Sequence, residues 1–100
     1  MYKALGVLTA KNGMTREAVA AAKAMVEHIN SKYNLQYEAY MQVFGGTAGT
    51  IYLMGSYKDM DSLQAAQAKF MADDKFWTLA HKAADVTIEP PTLALLKPIE

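Results

Sequence analysis

Two histidines, one tryptophan and six tyrosines are the side chains of this 100-residue chain whose chemistry reaches beyond packing. His81 is the first candidate for acid–base work, because an imidazole titrates close to neutral pH. It stands four residues after Trp77, so on a helix the two share a face. The competing expectation for His81 is a partly exposed histidine near a helix C-terminus, where a cation is favoured. His28, next to Glu27, is expected to be a solvated helix flank. Phe70, Phe76 and Trp77 carry the pattern of a core stripe or a pocket wall. Met25, Met41, Met54 and Met71 add adaptable side chains suited to irregular apolar space. A small hydrophobic or amphipathic ligand between helices and sheet is therefore expected to touch Met25, Ile29, Met41, Phe70 and Trp77, with His81 at the mouth.

Other constellations read as architecture. Glu38, Tyr40 and Gln42 alternate along one strand face. Buried at an interface they would need hydrogen-bond partners; together with Tyr52 they could instead orient a substrate. Asp59 with Asp61, and Asp73 with Asp74, stand at helix starts, where capping accounts for them. The glycine loop Gly45–Gly49 leads into a strand and lacks the Lys-Ser/Thr pair of a phosphate cradle, so it is a hairpin connection. The serines are Ser31, Ser56 and Ser62, and none has the context of a nucleophile elbow. With no cysteine, thiolate catalysis, disulfides and iron–sulfur clusters are ruled out. Two histidines alone do not complete a transition-metal site. Neither a cofactor nor a metal is expected.

The elements that must position these residues follow from local pattern. Lys3–Ala10 is a strand apolar on both alternations, which calls for cover on both sheet faces. Asn12-Gly13 marks a turn. A helix is predicted from Thr15, as N-cap, to Tyr33, with Ala18, Ala22, Met25, Ile29 and Tyr33 on one face and Asn30 or Asn34 as terminator. Tyr37–Phe44 and Thr50–Tyr57 read as the second and third strands. A second helix is predicted to start at Asp61, paired with Gln64 in a capping box, and to break at Asp73-Asp74. Leu63, Ala66, Phe70, Trp77 and Ala84 would form its inner face. Val86–Glu89 reads as a short last strand stopped by Pro90-Pro91.

One domain in the order β-α-β-β-α-β is therefore expected across residues 1–100: a ferredoxin-like α+β fold, with a four-stranded antiparallel sheet and two helices on one face. Leu5, Val7, Met41, Val43, Ile51 and Leu53 are taken to face the helices. That phase leaves Leu8, Tyr40, Phe44, Tyr52 and Met54 on an uncovered sheet face. The 52% hydrophobic content is high for an ordinary domain, and the tail adds Leu93, Leu95, Leu96 and Ile99. A second copy of the same sheet would cover them, so a face-to-face homodimer is expected. Ten basic residues balance ten acidic ones, and Arg16 is the single arginine. Nucleic acid, which requires a basic surface, is excluded as a partner. No run approaches the ~20 apolar residues of a membrane span, and the apolar N-terminal stretch is short for a signal peptide. A cytoplasmic, membrane-free protein is expected.

The element order, and the stretch Phe70-Met71-Ala72-Asp73-Asp74-Lys75-Phe76-Trp77-Thr78-Leu79-Ala80-His81, resemble the dimeric α+β barrel superfamily. Its members include cofactor-free monooxygenases of antibiotic biosynthesis, haem-degrading monooxygenases, chlorite dismutases, muconolactone isomerases and stress-responsive proteins. The resemblance covers Lys3 to about Ile99. It implies a dimeric barrel and, if the protein is an enzyme, oxygenation or isomerisation of a hydrophobic or aromatic substrate. The haem-degrading pattern of asparagine, tryptophan and axial histidine is not matched, since Trp77 and His81 sit close on one helix and the first strand has no asparagine. A non-catalytic dimer with a fully packed core is the alternative expectation.

Overall fold

The alanine-rich stretch after the Asn12-Gly13 turn forms the longest helix of the computed structural model, which describes residues 1–88 and 92–99. This helix, α1 (Thr15–Tyr33), follows β1 (Tyr2–Thr9). Then come β2 (Glu38–Met41), β3 (Thr50–Tyr57), α2 (Met60–Met71), α3 (Asp74–Asp85) and β4 (Thr92–Leu96). The four strands make one antiparallel sheet in the order β2-β3-β1-β4, the ferredoxin-like arrangement predicted.

Helix ends follow local chemistry, with two corrections. The N-cap of α1 is Met14, not Thr15: the left-handed Gly13 closes a turn from Met14 N–H to the Lys11 carbonyl, and the Met14 carbonyl accepts the first helical bond from Ala18. At the other end Asn34, in the left-handed region at φ 54°, ends the helix as anticipated. Helix α2 is capped by Asp59 rather than Asp61, because the Asp59 carboxylate accepts from Ser62 N–H at 2.8 Å and so starts the helix two residues earlier. Asp73 caps α3 as expected, accepting from Lys75 N–H and Phe76 N–H.

The strands bring further corrections. β2 is shorter than Tyr37–Phe44: beyond Met41 only Gln42 N–H still bonds across to the Thr50 carbonyl. The Gln42 amide then turns onto the Gly45 carbonyl, and left-handed Gly45, Gly46 and Gly49 carry the chain round. Val86–Glu89 is not the last strand. Thr87 makes a single bridge to Ala10, and Ile88 N–H reaches the Thr9 carbonyl, while Glu89, Pro90 and Pro91 lie outside the described residues. The edge strand is Thr92–Leu96, so part of the apolar tail pairs with β1. Proline has no N–H to give a ladder, which makes a new strand after the proline pair the chemically sound solution.

Register decides which side chains meet the helices. Leu8 opposes Ile51, Gly6 opposes Leu53 and Ala4 opposes Gly55 on the helix-facing side. Leu5 opposes Met54 and Val7 opposes Tyr52 on the other. The first strand is thus phased opposite to expectation: Leu8 is core, and Leu5 and Val7 lie on the uncovered face with Tyr40, Tyr52 and Met54. Two core clusters result. Leu8, Ala10, Ala18, Ala22 and Ile51 fill one end, and Met25, Ile29, Tyr57, Leu63, Ala66 and Phe70 fill the other. The two inner-face residues predicted after the break, Trp77 and Ala84, are both exposed, and α3 buries Ala83 instead, because the break at Asp73 resets the helical phase.

Candidate functional site

The second core cluster contains more polar chemistry than a packed core needs. Tyr57 is buried at the end of β3, and Tyr37 leads into β2. Their hydroxyls meet at 2.6 Å beneath α1, one donating and the other accepting. Asn30 of α1 holds Tyr37 in place through both faces of its amide: Nδ2 donates to the Tyr37 carbonyl at 3.0 Å, and Oδ1 accepts from Tyr37 N–H at 2.7 Å. The Tyr37 ring lies directly over Gly55, where a Cβ would collide with ring carbons. Burial, then the bond to Tyr57, push the Tyr37 phenol well above its usual range, and burial also raises Tyr57. Both stay protonated donors at neutral pH. An open cleft of about 690 Å³ lies alongside, lined by Asn30, Asn34, Leu35, Tyr37, Glu38 and Ser56 among others.

Phe70 stands at the centre of this region. It contacts Tyr37 edge-on at 6.4 Å and Tyr33 at 5.4 Å, and stacks on Phe76 at 5.2 Å. Phe76 touches Trp77 at 6.1 Å, and Trp77 touches His81 at 6.3 Å. A run of rings therefore leads from the phenol pair to the outer surface of α3.

Of the residues anticipated as ligand contacts, Met25, Ile29 and Phe70 come together in this cluster. Trp77 sits at its outer margin, 41% exposed, its indole N–H donating to the Met71 carbonyl that ends α2. His81 is exposed beside it. Met41 is half exposed near the end of the opposite edge strand, away from the other five. Glu38, Tyr40, Gln42 and Tyr52 share the uncovered sheet face, where Tyr40 donates to Glu38 at 2.8 Å and Tyr52 to Gln42 at 2.7 Å.

A second polar centre joins α1 to the break between α2 and α3. The Asp73 carboxylate, 4% exposed, accepts from Tyr33 Oη at 2.6 Å and from His28 Nε2 at 2.7 Å, with Lys32 Nζ at 3.3 Å. Tyr33 first, then His28, the Phe76 N–H and Lys32, hold this carboxyl well below the usual carboxylate range although burial opposes them. The capping role was legible in sequence. The pairing with His28 was not, although a histidine and a lysine at i and i+4, with a tyrosine one residue on, was a local signal that this helix face meets an acid. Tyr37, Tyr57 and Asn30 had no such signal. Among the described residues no group of three or more acidic or imidazole side chains could hold a metal, and no helix is long and apolar enough to cross a membrane.

No family model and no curated protein matches the chain. Solved structures do. A NIPSNAP domain protein from Burkholderia xenovorans superposes with a TM-score of 0.80 at 16% identity, over 99% of this chain and 95% of that one. A NIPSNAP family protein of unknown function from Agrobacterium tumefaciens gives 0.79 at 18% identity, over 98% and 87%. An antibiotic biosynthesis monooxygenase gives 0.75 at 15% identity over the full length of both chains. At such identities the likeness speaks for the fold. The chain has the ferredoxin-like α+β fold that these structures share.

Proposed function

We propose that this protein is a homodimer that binds a small hydrophobic or amphipathic molecule between its helices and its sheet. The observation that carries the reading is the Tyr37–Tyr57 phenol pair, half-buried in an otherwise apolar cluster beside an open cleft. In this reading Leu35 and Tyr37 line the entrance, a ligand reaching inward meets Met25, Ile29 and Phe70 of the core cluster, and the phenols supply hydrogen bonds that fix orientation, the usual composition of a small-molecule site. In this reading His81 is the acid–base group at the surface end of the ring series, and Trp77 shields the mouth. Cofactor-free oxygenation or isomerisation of an aromatic or similarly apolar substrate is the reaction class, supported by the likeness to an antibiotic biosynthesis monooxygenase. Proteins of this fold are typically dimeric, which agrees with the uncovered apolar sheet face.

The test is native mass spectrometry of the protein as purified, followed by dye displacement with aromatic ketones and fatty acids. A ligand-bearing dimer and displacement are expected, with Tyr57→Phe and Trp77→Ala each weakening uptake about tenfold, or ~1.4 kcal/mol. No displacement across the panel would favour the second reading, a non-catalytic dimer. That reading has its own support: the rings around Phe70 already lie in mutual contact at 5.2–6.4 Å, the spacing of a filled core.

A further inference from the structure

The geometry points to a second site, in the cleft between α1 and α3, where His28 acts as a general base positioned by Asp73 on a small enolisable carboxylate such as a 2-oxo acid. The proposal does not depend on a ligand at the Tyr37–Tyr57 pair. Three observations support it. First, the His28 side chain is nine-tenths buried, and its Nε2 is engaged by a carboxylate that is itself almost fully buried. An ionised carboxylate only accepts hydrogen bonds, so Nε2 must carry the hydrogen. In the neutral ring Nδ1 is then a bare lone pair, the arrangement by which a carboxylate sets the tautomer of a catalytic histidine.

Second, no hydrogen bond to that Nδ1 is found among the described residues, and no side-chain nitrogen that is fully buried lacks a partner. Nδ1 is therefore not sealed from solvent, and His28 itself lines a cleft of about 400 Å³ together with Ala24, Glu27, Ser31, Lys32, Lys75 and Leu79. Third, that lining is chemically mixed in a useful way. Lys75 of α3 can receive a developing enolate, Lys32 of α1, which is shared with Asp73 at 3.3 Å, can receive a carboxylate on the side away from Glu27, and Ala24 and Leu79 offer apolar contact to a short side chain.

The step balances without an added reagent. Nδ1 takes a proton from the carbon next to the carbonyl. The broken C–H bond's electron pair forms the new C=C bond, and the carbonyl π pair moves to oxygen as an enolate. Asp73 offsets the charge of the imidazolium, and Lys75 that of the enolate. Delivery of the proton to oxygen gives the enol, whereas exchange of the imidazolium Nδ1–H with solvent followed by delivery to carbon replaces the carbon-bound hydrogen with one from solvent.

Proton NMR of phenylpyruvate in deuterium oxide reads this exchange at carbon 3. The wild type should exceed free imidazole at equal concentration by about a hundredfold, the lower end of positioned acid–base catalysis. His28→Gln, which keeps a donor toward Asp73, should lose at least about tenfold, and Lys75→Ala should lower kcat more than it raises KM. For Asp73, nitrogen-15 spectra should show a single Nε2–H tautomer of His28 in the wild type and a mixture in Asp73→Asn. If either substitution at the dyad fails to fold, amide shift changes in the wild type decide, expected at Glu27, Ser31 and Lys75. A wild type no faster than imidazole, an undiminished His28→Gln, or shift changes centred on Tyr37 instead would overturn the proposal.

Discussion

At the junction of α2 and α3 one carboxylate serves two helices at once. One oxygen of Asp73 accepts from the first N–H groups of α3, and the other from Tyr33, His28 and Lys32 of α1. Because its folded-state acidity is displaced downward, Asp73 contributes stability that is fully present above the unfolded carboxylate value of about 3.9. That contribution is lost as pH falls below this value toward the depressed folded one. The melting temperature should accordingly drop as pH is lowered through about 4, and Asp73→Asn, whose carbonyl can still cap α3, should show a flatter dependence in calorimetry. Equal acid sensitivity of the two proteins would assign the loss to other carboxylates.

Between elements, the Tyr37 ring packs directly against the backbone of β3 at Gly55. Gly55 lies within β3 because a ring occupies the place of its side chain, so its absence of Cβ is a packing requirement. Gly55→Ala should displace the ring, separate the two phenols and cost about 1–3 kcal/mol in urea unfolding, the range of overpacked cores. Gly6→Ala provides the comparison. A Cβ there meets Leu93 and Leu53 at 3.6 and 3.8 Å, ordinary contact distances, and should cost much less. Similar losses at both sites would mean that strand propensity, not the ring, sets the effect.

The molecule as a whole is a slab 39 × 36 × 20 Å, two layers thick. Helices cover one sheet face, and the other presents Leu5, Val7, Tyr40, Tyr52, Met54 and Leu96. Val43, Phe44, Leu93 and Ile99 are 78–101% exposed besides. Surface of this kind is characteristic of an interface, and a second copy covering about 800 Å² of each subunit would make an ordinary stable dimer. If the proposed dimer forms through this face, Val7→Asp at its centre should yield a monomer in light scattering where the wild type is a dimer, while the helical circular dichroism persists. An unaltered dimer would move the contact to the exposed tail and the β2–β3 loop.

Chain-local features were readable in advance because their causes are local. Alanine propensity, a 3.6-residue apolar period and a terminal Asn34 delimit α1 at Thr15 and Tyr33, and an aspartate pair breaks the second helical stretch where Asp73 caps the next. Met25, Ile29 and Phe70 could be grouped in advance because each lies on the apolar stripe of its own helix. Strand phase was not readable. Lys3–Ala10 is apolar on both alternations, so only pairing with β3 could decide that Leu8 faces inward and Val7 outward. The two polar centres were equally hidden. Tyr37 meets Tyr57 across 20 residues and His28 meets Asp73 across 45, and such contacts have no periodicity to betray them. Secondary structure follows from neighbours in the chain, whereas these hydrogen bonds exist only once the helices have settled on the sheet.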